Sequence, residues 1–120
     1  MKIILASKSG VRKKILDNHK IKSEVIVSNV DEEEVKLSLI QEGASPLAIS
    51  KNLAEIKSIK VSSNNPDRLV LGADSVISLN NKLINKPRSR AEALEILKKL
   101  NNSKHYLISS ACMSKNGSMI

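Results

Sequence analysis

The chain has 120 residues, 41% of them hydrophobic, which is enough for one globular domain (1–120) that buries roughly two-thirds of its unfolded surface. Tyr106 is the sole aromatic residue, with no Phe and no Trp, so the core must be built from Leu, Ile, Val and Ala. The stacking rings of a single-strand nucleic-acid binder are missing. A net charge of +8 suits phosphate-bearing substrates, but the basic residues are scattered, and the adjacent lysines Lys13-Lys14 and Lys98-Lys99 fall on predicted helices as solvated faces.

Cys112 stands alone, which excludes an internal disulfide and predicts a buried structural thiol in a reducing compartment. The apolar stretch Ile3-Ile4-Leu5-Ala6 is too short for a signal-peptide core, and no run reaches membrane-spanning length. The expectation is a cytoplasmic protein without a membrane partner.

Ile3 to Ala6 reads as a short buried strand. Ser7-Lys8-Ser9-Gly10 leads from it into a helix over about 11–18, with Val11, Ile15 and Leu16 on one apolar face. A strand, a small polar loop and a helix start together present free amides and a positive dipole end, which suits phosphate. Ser7 and Ser9 add hydroxyls there and Arg12 a fork of donors. Taken alone, a serine at this place is most often a cap, and no Walker-type glycine loop follows.

Ser23 to Ser28 alternates as a second strand. Asp31-Glu32-Glu33-Glu34 opens a helix that carries Val35, Leu37, Leu39 and Ile40 and stops near Gly43. These acids either match the helix dipole or supply one carboxylate that joins Asp74 around a divalent cation. Ser45-Pro46 caps a third helix, which runs to about Val61 and contains Lys57. Residues 62–67 form a loop.

Residues 69–79 are the most apolar run in the chain, and Asp74 lies inside it. A carboxylate there must be paired, neutralised or bound to a cation. It is either a structural acid, hydrogen-bonded to a neighbouring turn or paired with a lysine, or a functional one. Gly72 lets another group come close to the backbone just before it. Asn80-Asn81 suits a two-residue hairpin turn that pairs Leu79 with Lys82, Ile77 with Ile84 and Ser75 with Lys86. That pairing returns an ammonium to within one position of Asp74, on the opposite face unless Pro87 bends the arm.

Ser89-Arg90-Ala91-Glu92 is a capping box, and Ala93, Leu94, Ile96, Leu97 and Leu100 form the predicted buried stripe of the next helix. His105 to Met113 reads as a strand and Asn116-Gly117 as a hairpin turn. Only Ser118-Met119-Ile120 follow it, too few for a typical returning strand.

In this order the motifs resemble the Maf family of nucleoside triphosphate pyrophosphatases. Leu5-Ala6-Ser7-Lys8-Ser9 with Arg12 is similar to its phosphate loop and Val30-Asp31-Glu32 to its acidic motif. Leu53-Ala54-Glu55-Ile56-Lys57 is similar to its helical lysine motif, and Gly72-Ala73-Asp74-Ser75-Val76 with Lys86-Pro87 to its central motifs. Glu92-Ala93, Leu100 and His105 fit the region after them. The resemblance implies an α/β fold of the inosine triphosphatase-like kind, an elongated mixed sheet flanked by helices with a nucleotide in its cleft. It also implies hydrolysis of standard or modified nucleoside triphosphates to monophosphate and pyrophosphate.

By the same resemblance Asp74 is the base or metal-linked carboxylate and Glu32 a ligand of Mg²⁺ or Mn²⁺. Ser7, Ser9, Arg12, Lys57 and Lys86 hold the triphosphate, and Ser75 stands on the substrate side where the family varies. The implied partners are a nucleoside triphosphate and a second copy in a homodimer, with no stable nucleic-acid partner. Two departures are legible. Gly10-Val11 and a single Arg12 replace the usual proline and arginine pair, and the family's carboxy-terminal portion has no counterpart, so a fragment is expected. The rival from another class is a noncatalytic nucleotide- or nucleic-acid-binding module with a role in cell division.

Overall fold

The computed structural model describes residues 2–85, 87–101 and 103–120. Within them the chain runs β1 (Ile3–Ala6), α1 (Gly10–Asn18), β2 (Ser23–Val25), α2 (Glu32–Gln41) and α3 (Pro46–Ser63). It continues through β3 (Val70–Leu79), β4 (Lys82–Ile84), α4 (Arg90–Leu100), β5 (His105–Lys115) and β6 (Ser118–Met119). Each helix starts where a side-chain oxygen meets the free amides of its first turn. Ser9 accepts from the Arg12 amide, Asp31 from Glu34, Ser45 from Ala48 and Ser89 from Glu92, all at 3.1–3.2 Å. Gly43, at φ +81°, ends α2 as the sequence predicts.

The strands form one mixed sheet in the order β2-β1-β3-β5-β6, with β4 also paired to β3. β1 runs parallel to β2 and β3, whereas the β3–β4, β3–β5 and β5–β6 pairs are antiparallel. Asn80 and Asn81 both take positive φ, 52° and 62°, and the turn sets the expected register of Leu79 with Lys82 and Ile77 with Ile84. Lys86, the expected partner of Ser75, lies outside the described residues. Asn116 and Gly117 make the second positive-φ turn, which pairs Ser114 with Met119. The overall extents are 45 × 34 × 23 Å. Among the described residues no helix is long and apolar enough to cross a membrane.

Alternation along β3 buries Val70, Gly72, Asp74, Val76 and Ser78 on one face, and α3 lies across that face. Its buried residues include the small Ser50, Ala54, Ser58 and Ser62, so the helix comes close to the strand. A Cβ at Gly72 would stand 2.4 Å from the Ala54 carbonyl oxygen and 2.8 Å from Ser58 Cβ. The group that Gly72 admits is therefore the protein's own helix rather than a ligand. Serines in this seam satisfy one another. Ser58 and Ser114 hydroxyls are 2.8 Å apart, Ser50 and Ser110 hydroxyls are 2.9 Å apart, and the Gly117 amide donates to Ser62 Oγ at 3.0 Å.

The other face corrects the predicted burial. Val11 is 69% exposed, Ile15 is also exposed, and Leu16 is half-buried. In α4 no described residue is buried, and Leu94 and Leu97 are exposed. Periodicity makes an apolar stripe, but a stripe is buried only where another element covers it. The residues of β3 and β5 that point away from α3 include Leu71, Ile77 and Leu107, the last 72% exposed. Cys112, expected to be buried, is half-buried and unpaired. Boundaries shift by a few residues: β2 ends at Val25 rather than Ser28, although the Ile26 amide still donates to the Leu5 carbonyl, and β5 runs on to Lys115.

Candidate active site

The site is placed by a gap in the sheet. β1 stops pairing with β3 at Ala6 and Gly72, and β4 begins only at Ile84 and Ile77. Between them, over residues 73–76, the edge of β3 carries no neighbouring strand among the described residues. Alternation sends Asp74 and Ser75 to opposite faces, yet at an open edge both can line one space. A cavity of about 330 Å³ occupies this position, at the carboxyl end of the parallel strand β1. Ser7, Ser9, Arg12, Glu32, Lys57, Asp74 and Ser75 all line it.

On the α3 side the cavity wall is an ionic cluster. Lys57 and Asp74 are each 7% exposed, and charges this deeply placed require partners. Lys57 Nζ lies 3.1 Å from Asp74 Oδ1 and 2.5 Å from Glu32 Oε1, and donates to the Ala73 carbonyl at 3.3 Å. Its three protons are thereby used. Asp74 Oδ2 is buried and has no hydrogen-bond partner among the described residues, a condition that costs about 1–3 kcal/mol if nothing satisfies it. Ser50 steadies the acid from behind, its hydroxyl donating to the Asp74 carbonyl at 3.1 Å.

On the other side the loop after β1 makes a donor cradle. Ser7 Oγ accepts from the Ser9 amide at 3.1 Å and from Arg12 Nη1 at 3.0 Å. Arg12 Nη2 reaches Ser75 Oγ at 3.2 Å, and Ser75 meets Ser109 Oγ at 2.8 Å. The guanidinium is thus fixed by two hydroxyls. A phosphate that enters meets a cation already oriented, with the start of α1 beside it.

Of the acidic run only Glu32 lines the cavity; Glu33 and Glu34 are exposed, and Glu33 pairs with Lys36. Among the described residues no group of three or more His, Cys, Asp or Glu side chains could hold a metal by itself. Two carboxylates with an orphaned buried oxygen are nonetheless the donor set that Mg²⁺ takes when phosphate oxygens and waters complete its shell. Sequence reasoning did not select Lys8 and Asn29, which also line the cavity, nor Ser50 and Ser109. Ser50 carries a signal, because it precedes Lys57 by two helical turns on the same face. Ser109 carries none, because only the β3–β5 register brings it to Ser75.

Residues 2–119 match the family model described as Maf-like protein. A nucleoside triphosphate pyrophosphatase of Pelagibacter ubique is 59% identical over 118 residues, 98% of this chain and 60% of that protein. A 7-methyl-GTP pyrophosphatase of Brucella abortus is 34% identical over 98% of this chain and 59% of its own length. A dTTP/UTP pyrophosphatase of Clostridioides difficile is 37% identical over 90% of this chain and 53% of its own length. The chain therefore spans somewhat more than half the length of the curated relatives it matches.

Proposed function

The chain belongs to the Maf-like protein family, and on that premise we propose that it serves as a nucleoside triphosphate pyrophosphatase, which cleaves between the α- and β-phosphates. One observation carries the reading. A buried carboxylate with one unpartnered oxygen shares a single cavity with a hydroxyl, amide and guanidinium cradle. A triphosphate laid in that cradle, on Ser7, Ser9 and Arg12, presents its α-phosphorus toward Asp74.

Asp74 Oδ2 accepts a proton from the attacking water as the oxygen forms its bond to the α-phosphorus. The bond from that phosphorus to the bridging oxygen of the β-phosphate breaks, and pyrophosphate leaves. Arg12, Lys57 and Lys86 offset the charge that gathers on the phosphate oxygens. Glu32 and Asp74 would hold Mg²⁺ or Mn²⁺, which when bound would add further charge stabilisation. Ser75, turned toward the cradle by Arg12 and Ser109, stands on the substrate side, and both standard and modified nucleotides are candidates.

The reading includes a cytoplasmic enzyme, for which the lone Cys112 gives support, and a homodimer without stable nucleic-acid partners. The test is a panel of ribo-, deoxyribo- and 7-methylated nucleoside triphosphates, assayed for pyrophosphate with Mg²⁺, Mn²⁺ or chelator. Metal-dependent pyrophosphate release supports the proposal. Release of single phosphate overturns it in favour of a phosphohydrolase of another kind, and no hydrolysis with either metal overturns it in favour of a noncatalytic binding module.

A further inference from the structure

The ammonium of Lys57 sits between the two carboxylates that the proposed function gives to a divalent cation. It is 2.5 Å from Glu32 Oε1 and 3.1 Å from Asp74 Oδ1, on a residue only 7% exposed. We infer that Lys57 is the resident counter-ion of this site, competing with the divalent metal for Glu32 and Asp74 and moving to the polyphosphate when metal and substrate bind together. This inference rests on the pyrophosphatase reading and adds a device that reading does not require.

Lys57 engages one oxygen of each carboxylate, and Asp74 Oδ2 is a buried acceptor that it does not reach, so the site keeps an acceptor open to a cation. A dication held by Glu32 and Asp74 would repel the ammonium already paired with them. Metal alone must therefore drive Lys57 off both acids with nothing new to receive it, and breaking a buried pair this way is costly. A triphosphate in the neighbouring cradle removes that obstacle, because a compact charge on a flexible four-carbon stem finds phosphate oxygens within the same cavity. Metal and polyphosphate then tighten each other's binding, and the coupling is reciprocal. In the absence of nucleotide, the ammonium stays paired with one oxygen of each acid.

The probe is Mn²⁺ alone, with its binding followed by electron paramagnetic resonance. Lys57→Met keeps the length of the side chain and removes the competitor, so it is expected to bind Mn²⁺ about tenfold or more tightly than the unaltered chain, the scale of losing one close like-charge contact near a protein surface. Equal or weaker Mn²⁺ binding by a folded Lys57→Met chain overturns the inference. A second measurement needs no variant. In the ¹⁵N-lysine spectrum of the unaltered chain, Lys57 Nζ should be protected from exchange without metal and change its shift and exchange when Mg²⁺ and inorganic tripolyphosphate are added together. An unchanged Nζ signal at saturation overturns the inference even if Lys57→Met does not fold. Neither result is read from catalysis. Pyrophosphate release with a fixed Lys57 signal removes the displacement and leaves the enzyme, whereas absence of nucleotide hydrolysis removes the reading beneath it.

Discussion

At the scale of single residues, one carboxylate carries two demands. Asp74 must be paired, because it is buried on a strand, and it must keep an oxygen available if it is to take a proton. The structure divides these between its oxygens, with Oδ1 on Lys57 and Oδ2 without a partner. Asp74→Asn preserves shape and an acceptor for Lys57 but removes the base. It is expected to lower pyrophosphate release by about 10²-fold or more while leaving the circular dichroism spectrum intact. Near-normal turnover would make the acid a structural ion-pair member only. The acidic run allows a sharper comparison, because consecutive helical residues point in different directions. Glu32→Ala should raise the metal concentration needed for half-maximal activity, while Glu33→Ala and Glu34→Ala should match the unaltered chain. Equal effects in all three would reduce the run to a helix start matched to its dipole. Asp74 was legible in sequence because an acid in an apolar run is a local anomaly. Its partnership with Lys57 was not, because the two meet only when α3 crosses β3.

The same division holds at the scale of elements. The four helix caps, the Asn80-Asn81 turn and its register were legible because each depends on residues close in sequence. The role of Gly72 was half legible: a close approach could be expected, but its partner is a helix surface set by tertiary packing. That packing makes Gly72 a support for the site, since the same contact brings Lys57 down beside Asp74. In Gly72→Ala the added methyl would meet a backbone oxygen at 2.4 Å, which no rotamer change relieves. α3 must lift, at a cost of about 1–3 kcal/mol for an overpacked interface. The denaturation midpoint should fall accordingly, and pyrophosphate release should fall with it under conditions where the chain is still folded. A variant as stable and active as the unaltered chain would show that α3 is free to shift.

For the whole molecule the informative feature is asymmetry. The α3 face of the sheet is closed by small residues and paired hydroxyls, while the opposite face leaves Leu107 72% exposed and Val11 and Ile15 exposed on α1; Leu94 and Leu97 are exposed on α4. The apolar stripes of α1 and α4 were legible from periodicity, but whether anything lies on them is a property of the complete arrangement that no stripe encodes. Exposed apolar area of this kind promotes association and dye binding. The 120-residue chain alone should therefore bind a hydrophobic dye and scatter light increasingly with concentration. Leu107→Glu, alone or with Ile15→Glu, should reduce both signals with little change in thermal midpoint, because a substitution at an exposed position costs within about 0.5 kcal/mol. The outcome against this is specific: if Leu107→Glu lowers the midpoint as strongly as a core substitution does, that face is packed in solution, and the stripe on α1 is part of a core.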